Sequence, residues 1–142
     1  MKKLLFTALI AISLTSSAFA SSTKEVGYHI ANSFATSFPK ASLVQWKITA
    51  DYTKASFVLN NVNTEAFYNR NGDLIATSYA VTIDEMPTNV KRSLAKKYSD
   101  YTVKEAIKFD GVEETAYFIS AENDKGAIIL KVTGGYIQVI KH

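Results

Sequence analysis

Asp84-Glu85-Met86-Pro87-Thr88-Asn89-Val90-Lys91-Arg92-Ser93-Leu94-Ala95-Lys96-Lys97-Tyr98 is the stretch on which the fold turns. From Leu43 to Thr82 the strand-like runs alternate apolar and polar residues with a period of two. Here the period changes: Val90, Leu94 and Tyr98 recur every four residues, one apolar stripe of an amphipathic helix spanning 85–98. Asp84 reads as its N-cap and Pro87 as a first-turn proline. Lys91, Arg92, Lys96 and Lys97 take the solvent side and the C-terminal end, where the helix dipole favours cations.

Four strand-like runs precede this helix. In 43–49, Val44, Trp46 and Ile48 share one face, and Gln45 and Lys47 the other. In 51–59, Ala55, Phe57 and Leu59 share a face. Two more runs, 62–69 and 74–82, flank Asn69-Arg70-Asn71-Gly72-Asp73, whose Asn-Gly accepts the positive φ angles of a hairpin. Four further strands follow the helix, at 102–109, 115–122, 127–132 and 136–141. Their turns contain Asp110-Gly111, Asn123-Asp124-Lys125-Gly126 and Gly134-Gly135. Ahead of the first strand, Val26, Ile30, Phe34 and Phe38 mark another helix over 24–38, ended by Pro39. The order is helix, four strands, helix, four strands, with halves at 24–82 and 84–141. Phe38-Pro39-Lys40-Ala41-Ser42-Leu43-Val44 lies over Tyr98-Ser99-Asp100-Tyr101-Thr102-Val103-Lys104 sixty residues on. The expected fold class is α+β: two tandem units, each a helix plus a four-stranded antiparallel sheet, with both helices on one face of a continuous sheet.

The N-terminus sets the compartment. Lys2 and Lys3 form a basic start, 4–14 an apolar run too short to span a bilayer, and Ala18-Phe19-Ala20 an A-x-A cleavage site. Residues 1–20 read as a signal peptide, which predicts an exported chain, periplasmic or secreted, that starts near Ser21. With no cysteine at the cleavage point, no lipid anchor is expected there, and the domain must hold together without disulfides or thiolate zinc. Lys2 and Lys3 leave with the signal, so sixteen basic residues become fourteen against thirteen acidic ones. That balance gives no electrostatic footprint for nucleic acid or an anionic membrane.

Chemistry-bearing motifs are sparse. His29 and His142 lie far apart and make neither a metal pair nor an acid–base system. No Ser sits in a G-x-S-x-G elbow, and Ser93-Leu94-Ala95-Lys96 matches S-x-x-K only inside a Lys-rich helix. Glu113-Glu114 is a turn pair that suits solvent, and Asp110, Glu113 and Glu114 lack a calcium-loop pattern. No catalytic residue, metal ligand or cofactor is assigned. What remains is the aromatic sheet. Trp46, Phe57 and Tyr68 are expected to face the helices. Tyr52, Lys54, Glu65, Phe67, Ile75 and Tyr79 mix aromatics with charge, the composition of a recognition patch on the open face.

Phe38-Pro39-x-Ala41-x-x-Val44-x-Trp46, Glu65-Ala66-Phe67-Tyr68-Asn69-Arg70-Asn71-Gly72-Asp73-Leu74, Met86-Pro87-x-x-Val90 and Lys97-Tyr98-Ser99-Asp100-Tyr101-Thr102-Val103-Lys104-Glu105-Ala106 occur in that order. This resembles the beta-lactamase-inhibitor-like, PepSY-like family of exported bacterial proteins of Bacteroidetes type. The resemblance covers about 34–140 and implies two helix-plus-four-strand units and a binding or inhibitory role. Departures are Ser99, where such sequences often carry proline, and Gly134-Gly135 in place of an Asp-x-Asp-Gly turn. The shared residues are ones the fold needs, so function follows only by analogy.

The expected function is a non-enzymatic binding module that recognises, or inhibits, another envelope or secreted protein through its open sheet face. A small-ligand or glycan-binding domain using exposed Tyr and Phe is the alternative, and an unrecognised hydrolase the least favoured. Trp46→Ala is expected to cost roughly 3–5 kcal/mol as a core residue. Phe67→Ala is expected to leave melting nearly unchanged and weaken partner binding by about 2 kcal/mol or more.

Overall fold

The computed structural model describes residues 26–141; the expected signal peptide and cleavage site lie outside them. The described residues form an α+β fold of two helices and one eight-stranded antiparallel sheet. In order these are α1 (Tyr28–Ser37), β1 (Ser42–Ile48), β2 (Thr53–Leu59), β3 (Val62–Tyr68) and β4 (Leu74–Ala80). After a one-turn 3₁₀ helix at Ile83–Glu85 come α2 (Thr88–Lys97), β5 (Thr102–Gly111), β6 (Thr115–Asn123), β7 (Gly126–Thr133) and β8 (Tyr136–Lys141). Each strand pairs with its sequence neighbours, β4 with β5 included, so the halves are joined in a single sheet and are not two separate four-stranded layers.

The expected start of α2 needs correction. Asp84 lies in the 3₁₀ turn, and Pro87 is the residue that caps α2. Glu85 is drawn back onto Thr82, whose backbone N–H (2.6 Å) and hydroxyl (2.8 Å) both donate to its carboxylate. That closes the turn before Pro87, which fixes φ for entry into the helix without losing a bonded N–H.

Register places both helices on the same sheet face. Ala66 pairs with Thr77, and Thr77 with Asp110, four residues from Ala106 on the same strand face. Ile30 and Phe34 of α1 pack on Ala55, Phe57, Ala66 and Tyr68, with half-buried Trp46 beside them. Val90 and Leu94 of α2 pack on Ala106, Ile119, Ala121, Ile128, Leu130 and Val132. Trp46, Phe57 and Tyr68 therefore face helix α1 as expected. The two helices end alike: Phe38 N–H donates to Phe34 O, and Tyr98 N–H to Leu94 O.

Two hairpin glycines set how closely the sheet meets the helix starts. Gly72 has φ +90°, and a Cβ there would lie 3.3 Å from the Cβ of His29, the second residue of α1. Gly135 has φ +89°, and its Cβ would fall 2.5 Å from the side-chain nitrogen of Asn89, the second residue of α2. Positive φ and close approach both demand glycine.

Candidate functional site

The sheet face opposite α1 and α2, which carries no helix among the described residues, bears a third apolar cluster: Phe67, Ala76, Phe109, Ala116 and Phe118, with half-buried Tyr52, Ile75, Ile107 and Ile140 around it. Phe67 is opposite Ala76, and Phe109 is opposite Ser78 and Ala116. The small residues of β4 form a floor over which the larger rings lean towards each other. Tyr52 meets Phe67 edge-on with ring centroids 5.7 Å apart; Phe67 and Phe109 are 6.2 Å apart, Phe109 and Phe118 6.3 Å. This spacing suits edge-to-face aromatic contact.

A cation closes each end of the row. Lys54 Nζ lies 6.0 Å from the Phe67 ring centroid and pairs with Glu65; Lys131 Nζ lies 5.9 Å from that of Phe118 and pairs with Glu114 at 2.6 Å. Glu65 also accepts from the Ser56 and Ser78 hydroxyls, each at 3.3 Å. Its carboxylate is thus engaged by three donors. Glu114, expected in solvent as half of an acidic turn pair, is instead the counter-ion of Lys131.

The structure brings together Tyr52, Lys54, Glu65, Phe67 and Ile75 of the expected patch. Ile75 reaches it because the β3–β4 register shifts between Phe67 and Tyr68, which pair with Ala76 and Leu74 and leave Ile75 as the extra residue. Tyr79 is a correction. Beyond the bulge, alternation puts Ser78 on the open face and Tyr79 on the helix-bearing one. There its hydroxyl lies 3.3 Å from Asp110, which also receives Lys108 (3.0 Å) and Thr115 (3.1 Å). The bond to Asp110, then Tyr79, raises the Lys108 pKa.

A second correction concerns Phe67. It was expected as an exposed contact, yet it is only 2% exposed, because Lys54, Ala76, Tyr52 and Phe109 surround it. Phe109, Phe118 and Lys131 were missed. The alternation of Ile107 with Phe109, and of Phe118 with Ser120, is the signal that carries them.

On the helix side, Tyr68 is fully buried and its hydroxyl has no hydrogen-bond partner among the described residues. Desolvation pushes its pKa up to about 12. Among the described residues no group of three or more His, Cys, Asp or Glu could hold a metal, and no helix is long and apolar enough to cross a membrane. His29 is exposed near the start of α1, and His142 lies outside the described residues.

This arrangement of helices and sheet is shared with solved proteins. The chain is similar to a protein from Bacteroides eggerthii DSM 20697 named as periplasmic, with 18% identity and a TM-score of 0.74, over 82% of this chain and 91% of that one. It is similar to a DUF2874 family protein from Bacteroides uniformis ATCC 8492, with 15% identity and a TM-score of 0.73, over 82% and 91%. A BLIP-like protein from Bacteroides fragilis NCTC 9343 matches at 14% identity and a TM-score of 0.69, over 83% and 89%. No family model matches the chain, and no curated protein is similar to it in sequence. At these identities the likeness establishes the fold, which is that of the BLIP-like and DUF2874 proteins of Bacteroides.

Proposed function

We propose that this chain is a non-enzymatic, exported binding module that engages another envelope or secreted protein with the helix-free face of its sheet. The observation that carries the reading is the third apolar cluster. The other two clusters lie beneath α1 and α2, whereas no helix among the described residues lies over Phe67, Phe109 and Phe118 or the half-buried Tyr52, Ile75, Ile107 and Ile140 beside them. An apolar centre framed by Lys54–Glu65 and Lys131–Glu114 has the layout of an interface, with aromatics inside and a charged rim. Glu65, held by three donors, suits recognition better than acid–base chemistry. The periplasmic and BLIP-like names of the structural neighbours support a partner in the exported compartment and inhibition as the form of engagement. The matching helix ends and hairpin glycines support reading the halves as a repeated unit that builds this face jointly.

The test is capture from the envelope and secreted fractions of the source organism with tagged residues 21–142, beside a Lys54→Glu/Lys131→Glu variant. Each substitution sets a Glu against Glu65 or Glu114, so thermal melting is read alongside, and a folded variant is required for the comparison. One protein retained by the native face and reduced at least about tenfold by the variant, a loss near 1.4 kcal/mol, is expected. Equal retention by both would overturn the reading.

A further inference from the structure

A cavity of about 290 Å³ opens beside the C-terminal half of α2, on the sheet face opposite the proposed interface, lined by Lys91, Leu94, Tyr98, Tyr101, Ala121 and Leu130 among others. The matching place in the first half is filled. Phe34 and Leu94 hold the same helix position, since their carbonyls accept from Phe38 and Tyr98. Trp46 pairs with Ala55, and Ala106 with Ile119; Phe57 and Ala121 each lie two residues further along. In the first half the rings of Phe34, Trp46 and Phe57 plug the space, Phe34 lying 5.0 Å from each of the others. In the second half the same three places hold Leu94, Ala106 and Ala121. Three aromatic rings have become aliphatic side chains, and two of these, Leu94 and Ala121, line the cavity.

The cavity's lining includes one cation, Lys91. Lys91 Nζ donates to the Asp84 carbonyl at 3.2 Å and forms no ion pair among the described residues. Arg92, Lys96 and Lys97 follow on the same helix, which has no acidic residue and likewise no ion pair among the described residues. Tyr98 and Tyr101 stack edge to face at 5.9 Å at the edge of the cavity. Apolar walls with an ammonium at the mouth that has no anionic partner among the described residues fit a ligand with an apolar body and one negative group, and the volume is at the small end for ligand pockets. We propose that this cavity binds a small, free, single-chain anionic amphiphile, its chain between α2 and the sheet and its head on Lys91.

The experiment is titration of isotope-labelled residues 21–142 with monomeric sodium decanoate, followed by amide NMR. Decanol, decyltrimethylammonium and phosphatidylglycerol vesicles serve as separate arms. Saturable shifts at Leu94, Tyr98, Ala121 and Leu130 are expected with decanoate. Lys91→Ala, with thermal melting read alongside because it removes the bond to the Asp84 carbonyl, should weaken decanoate about tenfold and leave decanol unchanged. Ala121→Phe, which restores the first half's plug, should abolish binding; should it fail to fold, Lys91→Ala alone decides. Absence of saturable decanoate shifts, equal binding of decyltrimethylammonium, indifference to Lys91→Ala, or binding to vesicles alone would each overturn the proposal.

Discussion

Phe67 illustrates what a single position reveals and conceals. Alternation along β3 assigns it to the face away from Ala66 and Tyr68, and the structure agrees. Its burial comes from residues that alternation cannot supply: Tyr52 from the loop before β2, and Phe109 from a strand in the other half. Phe67→Ala should therefore cost about 3–5 kcal/mol in urea unfolding, with nearly unchanged stability as the contrary result. Rim residues such as Lys54 are the better probes of binding. Trp46, expected in the core, is only half-buried at the sheet edge, so its truncation should cost less than that of a fully enclosed ring. Tyr79 was assigned to the wrong face because a bulge at Ile75, between Leu74 and Ala76, resets the alternation, and a bulge leaves no mark in residue type.

Among the elements, the periodic ones were legible. Stripes spaced by four produced α1 and α2, and alternation between Gly- and Asn-bearing turns produced all eight strands to within a few residues. Helix starts were less so: Asp84, expected as the N-cap of α2, lies in a 3₁₀ turn ahead of it. Thr82 and Glu85 settle the matter by closing a 3₁₀ turn. The Thr82 backbone N–H, then its hydroxyl, lowers the Glu85 pKa. A depressed carboxylate stabilises the fold above its ordinary pKa, and that contribution is lost as pH falls through the lowered value. Glu85→Gln should accordingly lower the melting temperature on the order of 2 °C at neutral pH, and the difference should vanish under acidic conditions. A gap that persists unchanged at low pH would show that charge has no part in the turn.

At the scale of the molecule, β4 and β5 join the halves, and that junction builds the candidate site. Phe67 comes within ring contact of Phe109 only because Ala76 and Ser78 of β4 lie between their strands. Half of the aromatic row was thus legible as an aromatic and charged mixture on 52–75. The rest depended on which strands become neighbours. The result is a sheet with helices on one side, and on the other an apolar row between two ion pairs. The most direct test is lysine-acylation footprinting of residues 21–142, free and bound to the captured partner, read by mass spectrometry. The account predicts that Lys54 and Lys131 become protected on binding, while Lys91, Lys96, Lys97 and Lys108 on the helix side react as before. Protection of the helix-side lysines, with Lys54 and Lys131 still reactive, would contradict it.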